Sequence, residues 1–394
     1  MTSSKPQFDG QGVKLGDVAT YINGYAFKPA DYSLNGKQII RIQDLTGNAY
    51  QTNNFAGELD DKYLVSSGDV LISWSASLGV FEWNKEEAWL NQHIFKVVFN
   101  KLPVDKRYFI HQARYVINRG AMLAHGATMR HLTKKVFESL PFSYPNRSEQ
   151  LTIAKRLDDI QRQIYLAEKQ ISKLDSLVKS RFIEMFGDPI RNPLRMSVSS
   201  VEELAAPIKN SMKAGPFGSA LKKEVYAESG YKVYGQEQVI SGNQFLGNYY
   251  IDKEKYEQLN SCKVMPGDVL ISLVGTVGKV LILSEDCQPG IINPRLVKIT
   301  FDKRKIFPEY FAIAFSLESV RSSLLGRAHG QTMNVLNLGM IKKLKLPVPP
   351  ISRQKEYLNF VAQVDKSRFG GMLHLLNSLS GIMHASFFSV ADTD

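Results

Sequence analysis

One ordered set of motifs occurs twice in the 394-residue sequence, at an offset that drifts only from about 199 to 204 residues. A period this long does not fit a solenoid, whose repeats are typically 20–50 residues, so it indicates duplication of a whole domain. The matched segments are 67–73 (SGDVLIS) with 266–272 (PGDVLIS), 91–97 (NQHIFKV) with 293–299 (NPRLVKI), and 126–129 (GATM) with 330–333 (GQTM).

Each copy mixes short strands and helices without regular crossover helices between the strands. The Gly-Asp pair in the GDVLIS segment predicts a turn, and the apolar run after it predicts a buried strand. Each half is therefore predicted to be a compact α+β module with an irregular sheet. Further strands are predicted at 38–42, 95–99, 232–234 and 296–300, and helices at 105–119 and 308–325.

A long helix is predicted after each half. The first, over 149–186, carries ten positions spaced alternately by four and three residues, and nine of them are apolar. This heptad pattern is typical of a coiled coil, and the helix would be roughly 55 Å long at 1.5 Å per residue. The second is predicted at 352–390, with a weaker seam interrupted by Gly370 and Gly371. The seam positions are Ile153, Leu157, Ile160, Ile164, Ala167, Ile171, Leu174, Val178, Arg181 and Met185, then Val361, Val364, Met372, Leu375, Leu379 and Ile382.

These elements predict four domains or segments: a module at 1–147, a helix at 148–187, a module at 188–351 and a helix at 352–390. We expect the two helices to pair as an antiparallel coiled coil. A dimer stalk is the alternative, but one chain already supplies both partners. Two modules on such a spacer would meet duplex DNA at sites about one to one and a half turns apart, given ~34 Å per turn.

The excess of positive over negative charge is confined to the two modules. Residues 1–147 contain 17 Lys and Arg against 13 Asp and Glu, and residues 191–351 contain 21 against 14, while 148–190 and 352–394 are neutral. Two basic blocks favour a polyanion contacted twice, although a basic surface that serves only solubility has the same charge. Cys262 and Cys287 have no metal-ligand spacing, and the sequence has no apolar run long enough for a membrane span. We expect a cytoplasmic protein.

The ordered motifs resemble those of the specificity (HsdS) subunits of type I restriction-modification systems over essentially the whole chain. The resemblance rests on VKLGDVATYINGYAFK (13–28), SSGDVLIS (66–73), GATMRHLTKKVFESLPFSYP (126–145) and SEQLTIAKRLDDI (148–160), and on KAGPFGSALKKEVY (213–226), PGDVLISLVGTVG (266–278) and GQTMNVLNLGMIKKLKLPVPP (330–350) in the second copy.

This resemblance implies that each module is a target recognition domain for one part of a bipartite, asymmetric double-stranded DNA target. The helices would fix the gap between the parts and dock two methyltransferase (modification) subunits, and restriction (helicase-nuclease) subunits would join that core. S-adenosylmethionine, ATP and Mg would then be bound by the partner subunits and not by this chain. Arg162 and Tyr165, which face outward on the first helix, are the candidates for subunit docking.

Catalysis by this chain is not expected. The segment Asn293-Pro294-Arg295 lacks the second proline and the aromatic residue of an adenine methyltransferase motif, and 275–280 (GTVGKV) lacks P-loop spacing. An unusual enzyme and a scaffold that binds nucleic acid at two places without sequence preference are the alternatives to a specificity subunit.

Base edges are read by side chains with paired donors or acceptors, and phosphates are bound by cations. Tyr25 and Phe217 could equally well be core residues, Trp74 could have a structural role, and Lys222 and Lys223 could simply be solvated. The candidates in the first module are Asn23, Tyr25, Lys28, Arg41, Gln43, Asp44, Trp74, Ser75, Gln92, His93, Thr128, Arg130 and His131. Those in the second are Lys213, Phe217, Ser219, Lys222, Lys223, Gln236, Gln238, Thr276, Arg295, Thr332 and Asn334.

Overall fold

A computed structural model describes residues 11–47, 51–75, 77–123, 133–326 and 336–367. The chain divides into two compact units between Glu168 and Lys169, which lies inside one long helix. We describe each unit by itself. Within the described ranges, no helix combines the length and the apolar character that a membrane span requires.

Among its described residues, the first unit contains three small sheets. Strands β2, β9, β6 and β7 form an antiparallel sheet in the order β2-β9-β6-β7, a second sheet has the order β4-β3-β8-β5 with β3 and β8 parallel, and β1 pairs with β10. The elements are β1 (Gln11–Lys14), α1 (Leu15–Val18), β2 (Thr20–Asn23), β3 (Lys37–Ile40), α2 (Ile42–Leu45), β4 (Asn54–Phe55), β5 (Leu64–Val65), β6 (Val70–Ser73), β7 (Gly79–Glu82), β8 (Ala88–Leu90), β9 (Ile94–Val98), α3 (Lys106–Leu123), α4 (Lys134–Glu138), β10 (Pro141–Tyr144) and α5 (Arg147–Phe186).

The second unit repeats this topology. Its sheets have the orders β12-β18-β15-β16 and β14-β13-β17, with β13 and β17 parallel, and β11 pairs with β19. The pairing made by β5 in the first unit is reduced here to a single bridge between Lys263 and Ile291. The elements are β11 (Val198–Ser200), α6 (Val201–Leu204), β12 (Met212–Ala214), β13 (Tyr231–Tyr234), α7 (Gln236–Ser241), β14 (Tyr250–Ile251), α8 (Lys253–Gln258), β15 (Val269–Ser272), β16 (Val280–Ile282), β17 (Gly290–Ile292), β18 (Leu296–Ile299), α9 (Pro308–Ser316), α10 (Glu318–Leu325), α11 (Leu338–Lys343), β19 (Lys345–Pro347) and α12 (Ile351–Ser367).

The turn before each central strand is built identically. Gly68 and Gly267 have φ of 92° and 83°, in the left-handed region that favours glycine. The next residue closes the turn, since Asp69 accepts a hydrogen bond from the Ser66 amide at 2.9 Å and Asp268 accepts one from Met265 at 2.9 Å. All four residues of β6 and of β15 are buried. The predicted turn and buried strand are therefore confirmed in both halves.

The other strands predicted from sequence are also present, as β3, β9, β13 and β18, and α3 covers the helix predicted at 105–119. The single helix predicted at 308–325 is wrong, because the structure has two helices, α9 and α10. Leu317 separates them with φ of −69° and ψ of 142°, an extended conformation. Its side chain is 6% exposed and packs into the core, so we attribute the break to packing. No Gly or Pro stands at Leu317 to predict a break there from sequence.

Helix α5 is one continuous element of 40 residues. Asn146 precedes it, accepting a hydrogen bond from the Glu149 amide at 3.0 Å and donating its own amide to the Glu149 carboxylate at 3.2 Å. Gly187 ends it with φ of 70°. All ten predicted seam positions are buried or half-buried, and the helix contributes residues such as Leu157 to the first core and Phe182 to the second.

Helix α12 packs in the second unit. The Tyr357 hydroxyl donates a hydrogen bond to the Val178 carbonyl of α5 at 2.9 Å, and its ring lies edge-on to Phe182, with centroids 5.5 Å apart. The Arg181 guanidinium lies 6.0 Å from the Phe360 ring. Gly370, Gly371 and the seam positions after them lie outside the described residues, so the antiparallel coiled coil stays a prediction.

A buried glutamine holds the start of each long helix. Gln150 accepts a hydrogen bond from the Asp105 amide at 2.8 Å and donates to the Pro145 carbonyl at 2.8 Å. Gln354 accepts from the Phe307 amide at 3.0 Å and donates to the Pro349 carbonyl at 2.8 Å. The duplicated residues therefore have duplicated partners.

Candidate nucleic-acid interface

In the first unit, four predicted residues meet at one edge of the β2-β9-β6-β7 sheet. Asn23 ends β2, Trp74 follows β6, and Gln92 and His93 precede β9, so antiparallel pairing brings them to the same edge. The Trp74 indole donates to the Asn23 amide oxygen at 3.3 Å, and its ring centroid lies 5.5 Å from that of His93. The Gln92 and His93 side chains approach to 3.4 Å. We call these four residues the first-unit cluster.

Tyr25 borders this cluster and is both a packing residue and a surface residue. Its ring lies edge-on to Phe27 and Tyr63, with centroids 5.0 Å and 5.7 Å away, while 36% of the residue is exposed. Gly24 before it passes so close to the Asn91 carbonyl oxygen that a Cβ atom would lie 2.1 Å from it. Only glycine fits there, and this close approach fixes where Tyr25 emerges.

The residues predicted at 41–44 form a helix cap. Asp44 accepts a hydrogen bond from the Arg41 amide at 2.8 Å and lies 3.5 Å from its guanidinium, and the Asp44 side chain is only 3% exposed. The Arg41 guanidinium also bonds the Gln51 carbonyl. Gln43 is exposed, and in the amide orientation that satisfies its hydrogen bonds its side-chain oxygen accepts from the Arg41 guanidinium at 3.1 Å. Asp44 therefore has a structural role, while Gln43 stays at the surface.

The remaining predicted residues of the first unit are not part of the cluster. Ser75 is buried, at 6% exposure, and Lys28 is exposed, its amide donating to Asp31 at 2.7 Å. Thr128, Arg130 and His131 lie outside the described residues.

The corresponding edge of the second unit has a different polar group. Arg295, which aligns with His93, donates from its guanidinium to the Gln236 amide oxygen at 3.4 Å, and Gln236 in turn donates to the Val274 carbonyl. The Arg295 amide is held by the Asn293 side chain at 2.9 Å. Arg295 is exposed and Gln236 is half-buried. We call Gln236 and Arg295 the second-unit pair.

Gln238 repeats the capping role of Asp44. It is 1% exposed, its oxygen accepts from the Gly235 amide at 2.7 Å, and its nitrogen donates to the Leu246 carbonyl at 2.5 Å. These internal bonds leave it no free edge for a base, so we assign it a structural role.

The other predicted residues of the second unit differ in exposure. Lys213 is half-buried, Thr276 and Lys222 are exposed, and Phe217 is 84% exposed. Ser219 and Lys223 lie in short 3₁₀ turns, and nothing is described of their side chains. Thr332 and Asn334 lie outside the described residues. On α5, Arg162 and Tyr165 are both exposed, Tyr165 at 59%.

Three residues near these edges were not predicted from sequence to belong to the site. Asn91 and Asn293 occupy matching turns, and each presents its carbonyl to a glycine, Gly24 or Gly215, where a Cβ would lie 2.1 Å or 1.8 Å away. The same residue, asparagine, at matching positions of the two halves was the sequence signal that could have identified them. Lys62, whose ammonium lies 4.9 Å from the Tyr63 ring, was also not predicted, and its hydrogen bond to Asp60 raises its pKa.

The two edges present amide, imidazole and guanidinium groups, which offer the donors and acceptors that read base edges. Among the described residues, no group of three or more His, Cys, Asp or Glu side chains is arranged to hold a metal ion.

Known proteins are similar to this chain in sequence and in fold. A family model described as the type I restriction modification DNA specificity domain matches residues 9–176 and 215–375. The chain is 22% identical over 375 residues to the type I restriction enzyme EcoBI specificity subunit of Escherichia coli, covering 89% of this chain and 78% of that protein. It is 22% identical to the MjaVIII specificity subunit of Methanocaldococcus jannaschii, covering 91% and 86%. A solved chain of a type I R-M system matches with a TM-score of 0.51 at 13% identity, covering 99% of both chains, which supports the fold.

Proposed function

The chain belongs to the type I restriction-modification DNA specificity family, and from this premise we propose that it reads a bipartite, asymmetric sequence in double-stranded DNA, one part with each unit. Members of this family provide the sequence specificity of a restriction-modification complex and are not catalytic. The chain would thus decide where its partners act.

One observation carries the proposal. The two units share corresponding strands and turns at this edge. The polar groups there differ: they are Asn23, Trp74, Gln92 and His93 in the first unit, and Gln236 and Arg295 in the second. Side chains with different donor and acceptor patterns select different base pairs. A shared frame with unlike reading groups is what an asymmetric two-part target requires. The excess of Lys and Arg in both modules supports phosphate binding.

The long helices are proposed to set the spacing between the two parts as an antiparallel pair. The packing of Tyr357 against Val178 and Phe182 supports a pairing of α12 with the end of α5. In this proposal the recognition modules are residues 1–147 and 188–351, and the spacer helices are residues 148–187 and 352–390.

Two methyltransferase subunits are proposed to dock on the helices, with Arg162 and Tyr165 as contacts, and restriction subunits to join that core. S-adenosylmethionine, ATP and Mg would be bound by those partners in the cytoplasm. The exposure of Arg162 and Tyr165 on a helix whose opposite face is buried supports this part.

Methylome sequencing of the host with and without this chain tests the proposal. We expect one two-part motif to lose methylation when the chain is absent. Replacing residues 1–145 by those of a relative should then change one part of the motif and leave the other unchanged. An unchanged motif would contradict the proposal. A second measurement tests the alternative: if random duplex competes as well as the motif for binding to the purified methyltransferase complex, a scaffold without sequence preference is favoured.

A further inference from the structure

Phe217 is an aromatic side chain held outward on a fixed backbone. The residue is 84% exposed, whereas Gly215 and Pro216 before it are buried. Single exposed apolar residues are common on protein surfaces, so exposure by itself indicates nothing. The anchoring of the segment is the informative feature.

The anchors lie on both sides of the ring. The Gly215 amide donates to the Leu296 carbonyl at 3.0 Å, and a Cβ at Gly215 would lie 1.8 Å from the Asn293 carbonyl oxygen, so the backbone is pressed against the turn before β18. After the ring comes a 3₁₀ turn, Gly218–Leu221, whose Leu221 packs against the core of this unit. Phe217 itself is extended, with φ of −92° and ψ of 160°.

This anchoring ties the backbone just before Phe217 to the turn that leads to Arg295. Gly215 contacts Asn293, and Phe217 and Arg295 each lie two residues from that contact. The segment also lies between two cations in sequence, Lys213 and Lys222. An exposed apolar ring in a segment flanked by cations suits a polyanion with an apolar interior, which duplex DNA provides in its base stack.

The first unit differs at this position. Gly24 occupies the place of Gly215, because its amide likewise donates to the first residue of the neighbouring strand, Ile94, at 3.2 Å. Two residues later the first unit has Ala26, which is exposed. Tyr25, one residue after Gly24, is 36% exposed but packs edge-on against Phe27 and Tyr63, so among the described residues a ring as exposed as that of Phe217 occurs at this position only in the second unit.

We propose that Phe217 is a wedge that enters a base step of the DNA part read by the second unit, beside the bases contacted by Arg295. Apolar side chains that insert between base pairs unstack them and kink the duplex. The cost depends on the step, and pyrimidine–purine steps yield most easily. The second unit would thus select a flexible step through shape, in addition to hydrogen bonds. The inference rests on the proposed function.

The experiment uses the full chain in complex with its methyltransferase subunits and a duplex of the methylated motif. 2-Aminopurine is placed at successive positions of the second part, since its fluorescence rises when it is unstacked. We expect the natural complex to raise the signal at one step. F217A should abolish that rise and weaken binding roughly tenfold or more, as for loss of a base-stacking contact, while F217W should retain both.

A matched control is F245A, which removes another exposed phenylalanine of the same unit, 53% exposed, and should leave fluorescence and binding unchanged. Replacing the step by a stiff A-tract should weaken the natural complex more than it weakens F217A, because only the natural complex also loses the flexible step. The wedge is overturned if F217A unstacks and binds the duplex like the natural complex, or if it only loses its methyltransferase subunits, which would place the ring at a protein interface. A natural complex that does not prefer the motif to random duplex would instead overturn the proposed function.

Discussion

Replacing Asp268 by alanine should destabilise the second unit far more than replacing Asp69 destabilises the first, although both residues close the same turn. Each accepts a backbone hydrogen bond at 2.9 Å and pairs with a lysine of the adjacent strand, Lys298 at 3.4 Å and Lys96 at 3.0 Å. Asp268 also accepts a hydrogen bond from the Thr300 hydroxyl, and the two aspartate–lysine pairs differ in burial.

Burial sets the expected magnitudes. The side chains of Asp268 and Lys298 are 0% and 5% exposed, so D268A leaves a buried ammonium without its counter-ion, at a cost of about 3–5 kcal/mol. Asp69 and Lys96 are 27% and 19% exposed, and Lys96 keeps a bond to the Leu64 carbonyl at 2.6 Å. D69A should therefore cost about 1–2 kcal/mol, mainly the lost turn hydrogen bond.

Amide hydrogen exchange read by mass spectrometry on peptides that cover β15 and β6 reports on each unit within the full chain. The difference of about 2–3 kcal/mol corresponds to a rise in the opening equilibrium at β15 that is roughly thirtyfold or more larger than at β6. D268N, which keeps an acceptor for the turn amide, should fall between D268A and the natural chain. Equal loss of protection in D268A and D69A would refute the argument from burial.

Three further outcomes are expected. Burial lowers the pKa of His111, although the Asp158 carboxylate 2.7 Å away opposes the shift; the unfolded state then takes up the proton first, so the first unit should lose stability as pH falls below about 6.5, and H111Q should flatten this dependence in urea unfolding. Q354A should cost about 2–4 kcal/mol because buried groups at Phe307 and Pro349 lose their partner, with K355A on the exposed side of α12 as control. R295A should relax only the second part of the methylated motif, by about 1–3 kcal/mol at one base pair, as read by methylome sequencing.

Local signals predicted most of the fold. The Gly-Asp turn and the apolar run after it specify β6 and β15 within a few residues, and the seam of α5 follows from spacing alone. The break at Leu317 could not be predicted, because it depends on a side chain that packs into a core assembled from distant segments.

The candidate site was predicted less completely, for a chemical reason. Residue types that read bases also cap helices, and Asp44 and Gln238 do the latter. Their three-residue spacing from the capped amide was a readable signal for that role. Asn23, Trp74 and His93 lie at strand ends that are far apart in the sequence, so only the sheet order of the first unit could bring them together.

In each unit, the residues that stabilise the fold are largely different from those proposed to read DNA. Buried groups shared by both halves, such as Gln150 and Gln354, hold the frame through bonds to backbone atoms, which any neighbouring sequence supplies. The polar groups at the sheet edges make few bonds that the frame needs, since the Arg295 guanidinium contacts only Gln236 at 3.4 Å among its described hydrogen bonds. A substitution of Arg295 therefore removes little folding energy while it changes the donor and acceptor pattern offered to DNA; Trp74 differs, because its ring stacks on Phe95 and packs against the first core. Specificity can therefore change at such positions without a matching loss of stability, and each unit can change without the other.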